Sequence, residues 1–283
     1  MRKLPVRRLS IAEFAAVVGM MVVLPTTTVA QDVVWPVPGR APDILVGAEY
    51  GIEAFDEVYR PMHQGEVFGG IRNASGSYLL KLVAGKRFGK SGMQAELESY
   101  PLLADRLYAY LSYAYGETPV FPRHRLGLEV FKGLPSGFEA SLGTRAFSFP
   151  EGESIVLATG SIAYYFQNLI FSFRPFLSVN APRTGFSGLI QARYYLSENE
   201  EFVFGRVGAG FTPDERWIQS SQGIPGTELT LLQSQAAGAG IQSLVATKLM
   251  VTGRLDITRQ EIAFRPGAYV LDFSLGCGIK AIL

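Results

Sequence analysis

The sequence predicts an antiparallel transmembrane β-barrel of about fourteen strands, within a range of roughly twelve to sixteen. Three observations predict it. Apolar and polar residues alternate with a period of two along nearly the whole chain, and hardly a helical period interrupts them. The polar faces mix Gly, Ser and Gln with single Arg or Glu residues, while the apolar faces run continuously into Tyr or Phe. Rings at strand ends suit the two interfaces of a bilayer. Closure into a barrel also removes the unpaired edges that an open sheet of this length would expose.

Composition agrees. The 283 residues carry a net charge of +1, too little for a nucleic-acid partner. Only 18% are charged and 48% are hydrophobic, with 31 Gly, 13 Tyr and 19 Phe. The single cysteine, Cys277, has no internal disulfide partner and reads as a small apolar strand residue.

Residues 1–30 read as a signal peptide. Arg2, Lys3, Arg7 and Arg8 form a basic start, Ala15–Leu24 an apolar run too short to span a bilayer, and Thr28-Val29-Ala30 a small-residue cleavage site. Residues 31–42, with Pro36, Pro38 and Pro42, form an irregular lead-in, and residues 43–283 the barrel.

The elements follow in order. Ile44–Phe55 sets Ile44, Val46, Ala48, Tyr50, Ile52 and Ala54 against Gly47, Glu49, Gly51 and Glu53. Gln64–Arg72 and Tyr78–Phe88 flank the turn Asn73–Gly76, and the latter sets Lys81, Val83, Gly85 and Arg87 against Leu80, Leu82 and Ala84. Met93–Tyr100 alternates with Gln94, Glu96 and Glu98, and Arg106–Gly116 is tyrosine-rich. The hairpin Phe121–Ser148 has the strictest alternation. Leu126, Leu128 and Val130 oppose Arg125, Gly127 and Glu129, and past Leu134–Gly137 the apolar Phe138, Ala140 and Leu142 oppose Glu139, Ser141 and Arg145.

Ser154–Phe166 alternates weakly. In Asn168–Val179, Leu169, Phe171 and Phe173 oppose Ser172 and Arg174, and Pro175 predicts a bulge or the end of pairing. Gly185–Leu196 carries Gln191 and Arg193 on its polar face, and Glu201–Phe211 carries Arg206. Phe211–Gly226, with Trp217, is the longest connector, and Thr227–Gly240 is ambiguous. Val245–Thr258 opposes Val245, Leu249, Val251, Leu255 and Ile257 to Lys248, Arg254 and Asp256, and Tyr269–Leu283 closes the chain. With both termini periplasmic, the long connectors, Asp56–His63 among them, face outward and the short turns inward.

This facing points Glu49, Glu53, Arg87, Glu96, Glu98, Arg125, Glu129, Glu139, Arg145, Arg174, Arg193, Arg206, Lys248, Arg254 and Asp256 into the lumen. Acids gather on the early strands and bases on the later ones. Such a set makes either an interior ion-pair network that stiffens or plugs the barrel, or a water-filled passage with opposed acidic and basic walls. No catalytic residues emerge, and neither clustered metal ligands nor a phosphate-cradling loop is present. The alternative is a lipid acyl hydrolase using His124, which shares the lipid-facing parity of Leu126 and Leu128. His63 falls in a predicted outer loop.

The chain resembles the YaiO family of outer-membrane β-barrel proteins. Arg87–Pro101 (RFGKSGMQAELESYP), Tyr108–Gly116 (YAYLSYAYG), the hairpin with FPRHRLGLEVF and LPSGFEASLGTR, Thr159–Pro175 and Gly208–Arg216 carry the resemblance. It implies the fold and a bacterial outer-membrane location, and brings no catalytic residues and no cofactor. The end, Ile282-Leu283, departs from the terminal aromatic that barrels of this class commonly show. The expected function is a passive pore or structural surface barrel, linked to passage of polar solutes or glycans. Its expected partners are outer-membrane lipid and the barrel-insertion machinery.

Overall fold

A computed structural model of the chain describes residues 42–283 apart from 57–58, 88, 118–119, 150–153, 180–184, 198–199, 214–230 and 263–264. The predicted signal segment, all of the lead-in but Pro42, and Trp217 lie outside the described residues.

Fourteen antiparallel strands form one closed barrel in simple up-and-down order. They are β1 (Asp43–Phe55), β2 (Met62–Asn73), β3 (Gly76–Arg87), β4 (Lys90–Ala104), β5 (Leu107–Gly116), β6 (His124–Gly133) and β7 (Phe138–Ser148). The other half is β8 (Ser154–Phe166), β9 (Leu169–Ser178), β10 (Gly185–Tyr195), β11 (Phe202–Pro213), β12 (Leu231–Ala246), β13 (Leu249–Ile262) and β14 (Arg265–Ile282). The ring closes where β1 pairs β14, from Leu45 opposite Ile282 to Phe55 opposite Asp272.

Side chains sort by sign of hydropathy in the reverse sense to a soluble protein. Leu142 is 77% exposed, Ile162 60% and Leu97 59%, whereas Glu129 is fully buried and Arg206 and Lys81 are nearly so. A continuous outer belt of this kind is stable only against acyl chains. The connections at one end are short turns, such as Ala74-Ser75, Gln167-Asn168 and Thr247-Lys248. Those at the other end include 214–230, the longest. These are called the turn end and the loop end below.

Three expectations need correction. Lys248 does not face the interior. It is exposed in the β12–β13 turn, and Val245 belongs to the end of β12. A two-residue turn alone reverses parity, as between Asn73 and Gly76, but a bulge between Leu244 and Ala246 reverses it back, so the alternation reads straight through. His63 is not in a loop but on β2, opposite Ile52 of β1. Pro175 neither ends β9 nor shifts its register. It sits opposite Gly188 of β10, and only the ladder to β8 opens, between the pairs Thr159–Phe176 and Ile162–Phe173. There the Thr159 hydroxyl donates to the Pro175 carbonyl at 2.9 Å.

Candidate functional site: the barrel interior

The inward faces of β1–β4 form a carboxylate-rich wall. Glu49 and Glu66 are directly opposite in register on β1 and β2, a like-charge pair that costs stability in a sheet. Lys81 of β3 offsets it. Its Nζ lies 2.8 Å from Glu98 and 4.0 Å from Glu66, and its register partner on β4 is Glu96. Arg125 of β6 donates to Glu96. Toward the loop end Glu49, Glu53, Gln64, Glu66, Arg87, Arg254 and Asp256 surround a space of about 80 Å³, enough for several waters.

Half the ring away, β9, β10 and β11 contain Arg174, Arg193 and Arg206 and neither Asp nor Glu. These arginines, and Arg145 of β7, are held on aromatic rings. Arg145 lies 4.4 Å from the Tyr110 centroid, Arg193 4.3 Å from Phe202, Arg206 5.7 Å from Phe204 and Arg174 6.0 Å from Phe131. A guanidinium stacked on a ring keeps its edge free to donate while its face is packed. Two nodes tie the arginines to neighbouring strands. Glu129 accepts from Arg174 Nη1 at 2.7 Å with both oxygens, from Arg145 Nη2 at 2.8 Å and from the Ser141 hydroxyl. Asp256 Oδ1 accepts from Arg206 Nε at 3.0 Å and Nη2 at 2.8 Å. Below them Tyr108 stacks on Phe131 at 4.6 Å and donates to Glu139 at 3.2 Å.

Both ends of the interior are narrowed by connections that turn inward. At the loop end Val120 and Phe121, between β5 and β6, are buried against Val83 of β3. Glycines make the socket. A Cβ on Gly85 would lie 2.8 Å from the Phe121 ring, and one on Gly116 would lie 2.6 Å from the Phe121 Cβ. Arg87 lies 5.7 Å from the same ring. At the turn end Glu200, between β10 and β11, takes the left-handed conformation (φ 62°) and reaches across to β2 and β14. Its carboxylate accepts from Arg72 and from Lys280 at 3.3 Å, and its carbonyl accepts from Gln242 at 2.8 Å. Arg72 also donates to Asp43 at 2.9 Å.

Fourteen of the fifteen residues assigned to the lumen lie on inward-facing positions: Glu49, Glu53, Arg87, Glu96, Glu98, Arg125, Glu129, Glu139, Arg145, Arg174, Arg193, Arg206, Arg254 and Asp256. Lys248 is the one that does not. Sequence reasoning left out Glu66, Lys81, Asp272 and the turn-end set Asp43, Arg72, Glu200 and Lys280. Lys81 shares the parity of Arg87 and was within reach of the pattern; Glu200 lies in a turn, where parity carries no information. Among the described residues no group of three or more His, Cys, Asp or Glu is placed to hold a metal ion.

His124 is on the outer face at the loop end, in register with Tyr115 on one side and Ser148 on the other. Its Nδ1 lies 3.0 Å from the Tyr113 hydroxyl and its ring packs between Tyr113 and Tyr115. The hydrogen bond it makes is therefore to a girdle tyrosine, not to a serine nucleophile.

Comparison with known proteins agrees with this architecture. The family model described as YaiO membrane beta barrel domain matches residues 45–215. No curated protein matches the chain in sequence. Among solved structures, the Acinetobacter baumannii outer membrane protein Omp33 is 12% identical with a TM-score of 0.49, over 85% of this chain and 99% of that one. OprB of Pseudomonas putida is 8% identical with a TM-score of 0.49, over 86% and 94%. The outer membrane protein OprD of Pseudomonas aeruginosa is 9% identical with a TM-score of 0.47, over 86% and 93%. The fold assignment rests on the closed strand ladder itself.

Proposed function

This chain belongs to the YaiO family of membrane β-barrels of the bacterial outer membrane, and on that premise we propose that it is a narrow, charge-lined passage for small polar and charged solutes. The observation that carries the reading is the pair of opposed walls, carboxylates on β1–β4 facing an acid-free arginine wall on β9–β11. Eight strands enclose a space their side chains just fill, while sixteen to eighteen leave an aqueous channel. A ring of fourteen therefore has room beyond its wall residues, and here the Phe121 and Glu200 connections occupy part of it. Passage of a bulky glycan would require both to move, so small solutes fit the geometry better. Opposed charges across a low-dielectric bore set up a transverse field that orders dipolar and charged solutes. On this reading the partners are outer-membrane lipid and, during assembly, the barrel-insertion machinery.

The test is conductance of the refolded protein in planar bilayers. Small single-channel steps are expected, and neutralising the arginine wall with Arg193→Gln plus Arg206→Gln shifts the reversal potential toward cations. No conductance in correctly folded protein leaves a structural surface barrel instead. Lipid hydrolysis is the competing chemistry, because His124 and Ser148 are register partners on the lipid face. Vesicle phospholipids incubated with the protein are expected to release no fatty acid. Release that disappears in His124→Ala would replace the passage with an enzyme.

A further inference from the structure

The outer face carries a second built feature, independent of the interior. At the loop end of β1–β4 lies a groove of about 410 Å³, with Tyr50, His63, Lys86, Ser91, Met93 and Glu117 among its lining residues. His63 and Lys86 are direct register partners on β2 and β3, and Ser91 of β4 is opposite Lys86 in turn. Three polar side chains thus stand in one row across adjacent strands, at the level where an outer face passes from acyl chains to headgroups. The Tyr50 hydroxyl lies 2.7 Å from His63 Nδ1. With that hydroxyl donating, the ring proton sits on Nε2 and becomes a free donor. Glu117, the one acid in the groove, is held by the Met93 amide at 2.9 Å. Among the described residues Lys86 has no carboxylate within ion-pair distance. Below the row the wall is apolar: Ala84 comes first, opposite Gly65 and the 55% exposed Met93, and then Val67 opposite Leu82, both largely exposed.

An occupant must therefore be amphiphilic, with an anionic head at Lys86 and His63 and alkyl chains along Val67, Leu82 and Met93. The longer connectors mark this end as the outer-leaflet side. We propose that the groove binds a phosphorylated glycolipid of the outer leaflet, its phosphate taking charge-assisted hydrogen bonds from Lys86 Nζ and His63 Nε2. Lysine serves as a point charge for phosphate, and the imidazole adds direction. The inference rests on the barrel and its orientation, not on the passage reading, so a non-conducting barrel leaves it intact.

The probe is purified bisphosphorylated lipid A added to the full-length, detergent-solubilised barrel, with bound lipid counted by native mass spectrometry. One lipid is expected to stay bound to the wild type. Its retention is expected to fall about tenfold for Lys86→Gln, the loss of one charge-assisted hydrogen bond, and further for fully dephosphorylated lipid A, which loses both. His63→Gln is expected to weaken it less. Arg259→Gln, which removes an exposed outer-face cation beside Tyr269 on β13, is expected to keep it. Heat-modifiable migration on gels confirms that each variant is folded. Equal retention of the dephosphorylated lipid, unchanged retention by Lys86→Gln, or equal loss in Arg259→Gln would overturn the proposal. So would displacement of the lipid by millimolar inorganic phosphate, which would mark a free-anion site.

Discussion

Replacing Glu129 with Gln tests whether the interior ion pairs act as structure. The side chain is fully buried and its two oxygens receive Arg174, Arg145 and Ser141. Gln keeps the shape and one acceptor oxygen. Arg174 Nη1 contacts both carboxylate oxygens at 2.7 Å, so either orientation of the amide turns an NH2 toward that guanidinium. Removing one partner of a buried ion pair costs about 3–5 kcal/mol. Arg145 and Arg174 keep 14% and 19% side-chain exposure and recover some hydration. The expected loss is therefore about 2–4 kcal/mol, roughly 30- to 1,000-fold in the folded-to-unfolded ratio. Urea unfolding in phospholipid vesicles measures it. Glu53, which lines the loop-end space, serves as the control. Glu53→Gln should cost under about 0.5 kcal/mol. Glu129→Gln combined with Arg174→Gln should fall short of additivity by about 1–3 kcal/mol. A Glu129→Gln cost below about 0.5 kcal/mol, or strict additivity, would show that water and not the arginines solvates this carboxylate.

Gly116→Ala should destabilise by about 1–3 kcal/mol through overpacking, read as a lower urea midpoint. The new methyl would lie 2.6 Å from the Phe121 Cβ and 2.7 Å from the Pro122 carbonyl, which cannot swing aside as a side-chain tip does. Gly253→Ala, whose nearest neighbour is 3.9 Å away, should change stability by less than about 0.5 kcal/mol. Phe121→Ala and Glu200→Gln should each raise single-channel conductance, because each removes an inward contact at one mouth; wild-type steps in both would refute the constriction. The Glu201 carboxyl, in the β10–β11 turn, is held below its ordinary range by the Leu244 amide and then by the Ser197 hydroxyl. A depressed folded value means this contribution is complete above the ordinary carboxylate range and is lost as pH falls through the folded one. Glu201→Gln should accordingly flatten the acid side of the stability profile measured by unfolding midpoint against pH.

Which residues face lipid was readable because that property is local. Strict alternation in Arg125–Val130 and Phe138–Arg145 fixes facing from neighbours two apart, and no long-range contact can reverse it without slipping the whole strand. The same locality explains the failures. The two-residue turn at Thr247-Lys248 reverses parity and the bulge between Leu244 and Ala246 reverses it back, so Val245 and Leu249 fit one alternation although they lie on different strands. Pro175 lacks only a donor, and the loss falls on the β8 ladder alone while the β10 register holds.

What parity cannot supply is partnership around the ring. Arg174 reaches Glu129 across 45 residues, Arg206 reaches Asp256 across 50, and Arg72 reaches Glu200 across 128. These pairings depend on how closure curves the sheet, which no single strand records. The acidic early strands and arginine-bearing later strands were visible as composition, but only closure sets them face to face. A fourteen-membered ring puts β2 and β3 opposite β9 and β10. Removing one hairpin would shift the facing by one strand without changing any strand's own pattern: without β7 and β8, β2 and β3 would stand opposite β10 and β11. The charge arrangement is thus a property of strand number as much as of sequence. Deletion of the β7–β8 hairpin should therefore leave a narrower barrel whose ion selectivity still responds to Arg206, since β11 would then stand opposite β3; selectivity indifferent to Arg206→Gln would refute the opposed-wall account.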